Sequence, residues 1–243
     1  MARIFITGSA DGLGQLAAKE LIRQGNQVVL HARNQQRAKE AIDRIPEAEN
    51  VLAADLSDIS QIKRLADEVN ALGNFDAIIH NAGVYQAAGS TIVNVNTLAP
   101  YILTSMIDLP KRLIYLSSGM HLSGDPKLNG LEAVPPQATY SDSKLHDLIL
   151  AKAVARKHPT VYANAIDPGW VPTKMGGQGA PGDLEQGFQT QVWLATSEDA
   201  AALVTGRYFH HKQEARYQLQ SDETELQDRF LKICAKITGI SFL

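Results

Sequence analysis

Short apolar runs separated by longer amphipathic stretches set the rhythm of this chain. Arg3–Ile6, Gln27–His31, Val51–Ala54, Asp76–His80, Arg112–Leu116, Val161–Ile166 and Arg207–Phe209 each read as a strand. Between them, Leu13–Arg23, Gln35–Arg44, the stretch from Asp58 to about Leu72 and Thr139–Lys157 read as helices. Gly25 stops the first helix, Asp55-Leu56-Ser57-Asp58 caps the third, and His158-Pro159 closes the long one. Strands joined by helical crossovers predict an α/β fold: a doubly wound parallel sheet of about seven strands, covered on both faces. No boundary signal divides the chain, so residues 1–243 are expected to form one domain.

The tail from Ser221 has a pattern of its own. Asp222 and Glu225 stand at capping-box spacing, and Leu226, Phe230, Ile233 and Ile237 recur at helical spacing. A helix at about 222–238 is expected. Docking on its own domain is the plainer reading, and binding a partner is the other.

Composition narrows the class. Hydrophobic residues make up 44% of the chain and charged ones 20%, enough to bury a full core. A net charge of -3 gives no basic surface for nucleic acid. No apolar run approaches a membrane span, and the N-terminus enters a strand at once, with no room for a secretory signal. Cys234 is the one cysteine, so no intrachain disulfide can form. A cytoplasmic protein without a metal is expected.

Glycines at 8, 12 and 14 follow a strand and open a helix. Glycine permits positive φ and close backbone approach, and a helix N-terminus offers free N–H groups to a diphosphate. That is a dinucleotide cradle in Rossmann context. The second strand ends His31-Ala32-Arg33-Asn34, without the acid that bonds a ribose 2′-OH. Arg33 instead suits a 2′-phosphate, which points to NADP, with NAD possible. Tyr140 and Lys144 are i and i+4 on the long helix, so they share a face. An ammonium beside a phenol favours the phenolate, and such a phenol can exchange a proton with a carbonyl or alcohol. Tyr208 and Lys212 repeat that spacing, but in an expected strand, where it brings nothing together.

These strings, in this order, resemble the short-chain dehydrogenase/reductase family over nearly the whole chain. The T-G-x-x-x-G-x-G of Thr7–Gly14 is similar to the family's loop, and differs from the T-G-x-x-G-x-x-G of its longer, epimerase-like branch. The resemblance implies an NAD(P)-dependent oxidoreductase and assigns further residues. Gly8, Ser9, Asp11, Gly12, Leu13 and Gly14 would hold the dinucleotide, with Asp11 standing where some NADP-preferring members carry a basic residue. Asp55 and Leu56 look like the adenine contact. His80-Asn81-Ala82-Gly83 looks like the N-N-A-G motif, with Asn81, Ala82 and Gly83 walling the cofactor site and His80 read as a core histidine. Ser118, rather than Ser117, would hydrogen-bond the substrate carbonyl. Asn96 matches the asparagine of the proton relay, with Asn94 a close competitor. Pro168, Gly169, Val171 and Thr173 fit P-G-x-[IV]-x-T; the Val171 backbone would hold the nicotinamide carboxamide and Thr173 the diphosphate.

The substrate is a small-molecule carbonyl or alcohol, expected to be apolar. The loop after Thr173, with Met175, four glycines from 176 to 182 and Phe188, reads as a lid. His121, Met120, Tyr85, Trp170 and Trp193 are further lining candidates, with Trp193 the one most suited to a core. The stretch Gly119–Ala138 resembles an insertion of carbonyl-reductase-like and retinol-dehydrogenase-like members. Two other readings stand beside the reductase: a catalytically silent dinucleotide sensor, and an isomerase or dehydratase of the longer branch. Only 13 positions separate Gly83 from Asn96 and 22 separate Asn96 from Ser118, leaving little length for the first helix through which relatives assemble. The long helix's face with Asp142, Leu145, His146, Ile149, Ala153 and Arg156 is mixed rather than apolar. A monomer is therefore favoured over a homodimer, and the family tetramer is not expected.

Overall fold

The computed structural model describes residues 1–242, and its strands form one sheet. They are β1 (Arg3–Ile6), β2 (Gln27–Ala32), β3 (Asn50–Ala53), β4 (Ala77–His80), β5 (Arg112–Leu116), β6 (Tyr162–Asp167), β7 (Tyr208–His210) and β8 (Gln213–Glu214). The order is β3-β2-β1-β4-β5-β6-β7-β8. The first seven run parallel and β8 pairs antiparallel with β7. This eighth strand is not foreseen from the sequence. His211 and Lys212 form its two-residue turn at φ 48 and 65, where glycine or asparagine would have announced a hairpin.

The helices are α1 (Gly12–Arg23), α2 (Gln35–Arg44), α3 (Ile59–Ala71), α4 (Gly89–Ile92), α5 (Ala99–Met106), α6 (Asn129–Glu132), α7 (Tyr140–Lys157), α8 (Leu184–Thr196) and α9 (Thr224–Thr238). Strand alternation sorts the core into two layers. Phe5 packs with Ile62, Leu65, Tyr101, Leu148 and Phe230 on the side of α3, α5, α7 and α9. Ile4 and Ile6 pack with Ala18, Leu21, Ala38 and Val192 on the side of α1, α2 and α8.

Three expectations are corrected. The helix after β4 is not short of length: a π-helical turn, Val93–Leu98, joins α4 to α5 into one continuous run. The space comes from a short connection after β4. The tail does not open on a capping box. Glu223 is the N-cap without a side-chain bond, because Asp222 is engaged by the buried Lys152 ammonium and by the Tyr217 hydroxyl. Finally, the mixed face of α7 is not open. Leu145, His146, Ile149 and Ala153 are buried, with α9 packed on α7 and Phe230 set against His146 at 5.4 Å. The tail thus docks on its own chain. The start of α7 follows its sequence: Thr139 and Asp142 form a reciprocal capping box that fixes Tyr140 in the first turn.

Candidate active site

The carboxyl ends of the central strands open on a cleft of about 430 Å³, where the strand order reverses across β1 and β4. Its floor is the glycine loop. Gly8 and Gly12 lie at φ 64 and 56, a region that favours glycine. A Cβ on Gly8 would stand 2.9 Å from the Ala82 Cα, and one on Gly14 would stand 2.4 Å from Asn81 Nδ2. Gly12 faces open space. The Asn81 amide donates to the Thr7 and Gly8 carbonyls at 2.9 and 3.1 Å, and the Ala82 N–H donates to Thr7 Oγ1 at 3.0 Å. The 81–83 segment therefore staples the loop and leaves the first-turn amides of α1 toward the cleft, an arrangement that attracts an anion.

Ser9 does not face the cleft. It is buried, donating to the Ile6 carbonyl and accepting the His31 N–H. Asp11 caps Gly12 at 2.9 Å and also receives Arg37 at 3.1 Å and Lys174. Its pKa is lowered, chiefly by the hydrogen bond from Lys174. The Asp11–Lys174 contact joins the glycine loop to the loop after β6, and both residues line the cleft. Arg33 lines it too, exposed and without an ion pair among the described residues. Asp55 and Leu56 line the same end, with Asp55 Oδ1 accepting from Ser57 at 2.9 and 2.7 Å.

At the other end, Tyr140 and Lys144 line the cleft beside Gly83. Lys144 Nζ stands 5.5 Å from the Tyr140 ring centre. It donates to the Leu116 carbonyl at 2.6 Å and to Asp147 Oδ2 at 2.9 Å. Burial alone pushes this ammonium down, but the Asp147 carboxylate and Tyr140 hold it above the ordinary lysine value. Burial pushes the Asp147 carboxyl up to about 6. Asn96 lies behind the wall, almost wholly buried; its Oδ1 accepts from Val84 N at 2.8 Å and its Nδ2 donates to Val84 O and Ser143 Oγ. A Cβ on Gly83 would be 3.6 Å from both Asn96 Oδ1 and Lys144 Nζ, so both side chains approach this glycine. Asn94 instead donates to the Ser57 carbonyl. Ser117 is buried, its hydroxyl on the Lys144 carbonyl at 2.7 Å. Ser118 is half-buried just beyond β5, accepting from Met120 N at 3.2 Å.

Pro168 and Thr173 line the cleft. Val171 is buried and Gly169 takes φ 79. Of the lining candidates, Tyr85 meets Tyr140 edge-on at 4.9 Å, and Tyr85, Met120, Trp170 and Met175 are exposed by 40, 44, 64 and 45%. Two others are corrected, and Trp193 takes the core place expected of it. His121 is fully buried, bonding the Ser118 carbonyl through Nδ1 and Gln218 N through Nε2. Phe188 lies on α8 against the core beneath α1, and Trp193 packs on Phe209 in that same layer. His80 is a core residue, stacked on Tyr115 at 4.8 Å with Nε2 3.3 Å from Thr104 and Nδ1 unpaired. Tyr208 sits in β7 with its buried hydroxyl unpaired, and Lys212 falls in the turn beyond.

Sequence reasoning misses His31 and Asp147. His31 is buried under the loop, and burial holds it neutral with its pKa pushed down to about 4. The available signal was a histidine or an acid on an otherwise buried stretch.

The short chain dehydrogenase family matches over residues 2–111. Across 99% of its length the chain is 43% identical to an uncharacterized oxidoreductase of Emericella nidulans, covering 98% of that protein. It is 40% identical to the short-chain dehydrogenase chry4 of Gibberella zeae, again over 99% of this chain and 98% of the relative. A putative uncharacterized protein from Mycobacterium paratuberculosis has the same fold, with a TM-score of 0.84 at 22% identity over 100% of this chain and 95% of that one. With two full-length relatives above 40% or at it, and a parallel sheet opening on a glycine cradle, this chain belongs to the short-chain dehydrogenase family of oxidoreductases.

Proposed function

We propose that this oxidoreductase moves a hydride between NADP(H), ahead of NAD(H), and a small apolar carbonyl or alcohol. One observation carries the reading: Tyr140 and Lys144, a turn apart on α7, face the same cleft as the glycine loop. The residues present fit a dinucleotide. Gly8 and Gly14 have no room for a Cβ, and Gly12 leaves open space before the first-turn amides of α1. Gly8, Gly12, Leu13 and Thr173 would hold the diphosphate, Asp55 and Leu56 the adenine, and Arg33 the 2′-phosphate. The acid at 11 does not oppose that phosphate, because Arg37 and Lys174 neutralise it.

The bound cofactor supplies or accepts the hydride. Tyr140 gives its proton to the carbonyl oxygen in reduction and takes it back in oxidation. Ser118 donates a hydrogen bond to that same oxygen. Lys144 supplies the positive charge beside Tyr140, and Asn96 would hold a water of the proton relay that runs through Lys144. Met175 in the lining of the cleft and Tyr85 edge-on against Tyr140 support an apolar substrate.

The test is turnover of aldehydes, ketones and alcohols with both cofactors, in the wild type and in Tyr140→Phe. Tyr140→Phe should lose at least about a hundredfold in turnover and still bind NADPH. Tyr208→Phe, the matched control, should keep its turnover. Near-normal turnover by Tyr140→Phe rejects the assignment. NADPH binding with no turnover across the panel would favour the silent sensor.

A further inference from the structure

Lys144 has a neighbour that proton exchange at Tyr140 does not by itself require. The Asp147 carboxylate meets its Nζ at 2.9 Å, and the two side chains are only 4 and 5% exposed. Every residue of α7 from Ser143 to Val154 is buried, so this acid stands in an interior stretch. A buried carboxylate is unfavourable unless something repays its desolvation. Here it faces an ammonium whose own burial favours the neutral amine.

We propose that Asp147 is a positioning residue that keeps Lys144 charged and aimed at the cleft throughout the working pH range. The proposal rests on the role given to Lys144 above. Asp147 and the Leu116 carbonyl occupy two of the three Nζ donors, which fixes the direction of the third. Without the carboxylate, Lys144 would be a lone cation in a dry site. It would then lose its proton as pH rises, and Tyr140 would lose the adjacent positive charge.

No other group facing the pair replaces Asp147. Tyr140, on the same helix and 5.5 Å away by its ring, pushes Lys144 in the same direction but less than Asp147, and makes no hydrogen bond to Nζ. From β5, Tyr115 is kept a neutral phenol by burial, its hydroxyl 2.9 Å from Thr104 Oγ1. From β4, His80 stacks on Tyr115 and is neutral by burial, as is His146 on α7 itself. Asn96 brings an uncharged amide from the π turn, and His121 from the turn after β5 is bonded to Ser118. On the far side of Tyr140, Tyr208 is held neutral by burial, and Asp167 of β6 is engaged by Gly169 and His210. From the tail, Asp222 and Asp228 are taken by Lys152, Arg156 and Lys157 further along α7. Among the described residues, Asp147 is the one acid bonded to Nζ.

The test has two arms. The first follows the lysine side-chain ¹³Cε signals by NMR as pH rises, with Lys144 assigned by its loss in Lys144→Arg. In the wild type Lys144 should stay an ammonium to a higher pH than the exposed lysines, and in Asp147→Asn it should titrate at least about two units lower. The second arm is the pH profile of kcat. Asp147→Asn should lose about tenfold on the alkaline side, one decade for each unit past the new titration, with KM for the carbonyl within about twofold. The wild type should show no such loss. Equal Lys144 titration in both proteins overturns the proposal. So does a shifted titration with an unchanged kcat profile. If Asp147→Asn does not fold, the wild-type titration decides, and a Lys144 that turns neutral at or below the pH at which the exposed lysines do overturns it. The NMR arm needs no substrate, so failure of the proposed reaction and failure of this inference are told apart.

Discussion

His31 accepts the Gly8 amide N–H on Nδ1 at 3.0 Å and donates from Nε2 to the Ala54 carbonyl at 3.0 Å. One neutral ring thereby ties the glycine loop to the end of β3. His31→Ala leaves a donor and an acceptor without their partner, and should destabilise the fold by about 1–3 kcal/mol. It should also weaken NADPH binding, because the Gly8 turn loses its support. Thermal melts and a fluorescence titration check both. Unchanged NADPH affinity would mean that Asn81 alone holds the loop.

Acid should unfold the protein over a defined window. Burial pushes His31 and His146 down to about 4 and His80 to about 3, against 6.5 for ordinary histidine. Below 6.5 the unfolded chain binds protons that the native imidazoles refuse, so these three contributions, present above 6.5, fade as pH falls through about 4. Asp147, raised to about 6, acts in the opposite sense, one group against three. The melting temperature should therefore fall steadily from pH 7 to pH 4.5. A flat profile across that range contradicts the neutral histidines.

Cofactor choice should depend on Arg33. Its guanidinium lines the cleft without an ion pair among the described residues, whereas Arg37 is already committed to Asp11 and Glu40. Losing a charge-assisted phosphate contact costs about 1.5–3 kcal/mol. Arg33→Ala should thus weaken NADPH roughly ten- to a hundredfold and leave NADH nearly unchanged. Equal weakening of both would remove Arg33 from phosphate reading.

Assembly should follow from α9. With Leu145, His146, Ile149 and Ala153 already covered within the chain, little of that α7 face remains for another copy. The intact protein should sediment as a monomer at micromolar concentration. Phe230 is fully buried in this contact, so Phe230→Ala should cost about 3–5 kcal/mol and favour self-association. A stable wild-type tetramer would show that assembly uses a different face.

What the sequence revealed was local. Glycine spacing, the 81–83 string and the four-residue step from Tyr140 to Lys144 are each written in a few adjacent positions, and each appears on the cleft. What it concealed depends on distant pairing. His31 is one more residue of a strand in the sequence, and its role depends on Gly8 and Ala54 arriving on either side. Asp147 carries no signal of its own in the sequence, because its role depends on the burial of α7 from Ser143 to Val154. The β7–β8 turn lacks the residue types that usually mark one, and although the apolar spacing of the tail announces a docked helix, nothing local says that α7 is the element it covers.

The bridge between Asp11 and Lys174 joins two loops that line the cleft, and its side chains remain 36 and 78% exposed. Ions act on such a catch in two directions. At physiological ionic strength the screening length is about 8 Å, so added salt loosens the bridge and lets the loop after β6 swing. The same salt weakens the pull of Arg33 and its neighbours on an anionic cofactor. Stopped-flow association of NADPH should therefore speed up and then slow down as salt is raised. With Asp11→Asn the rising limb should vanish, leaving a rate that only falls.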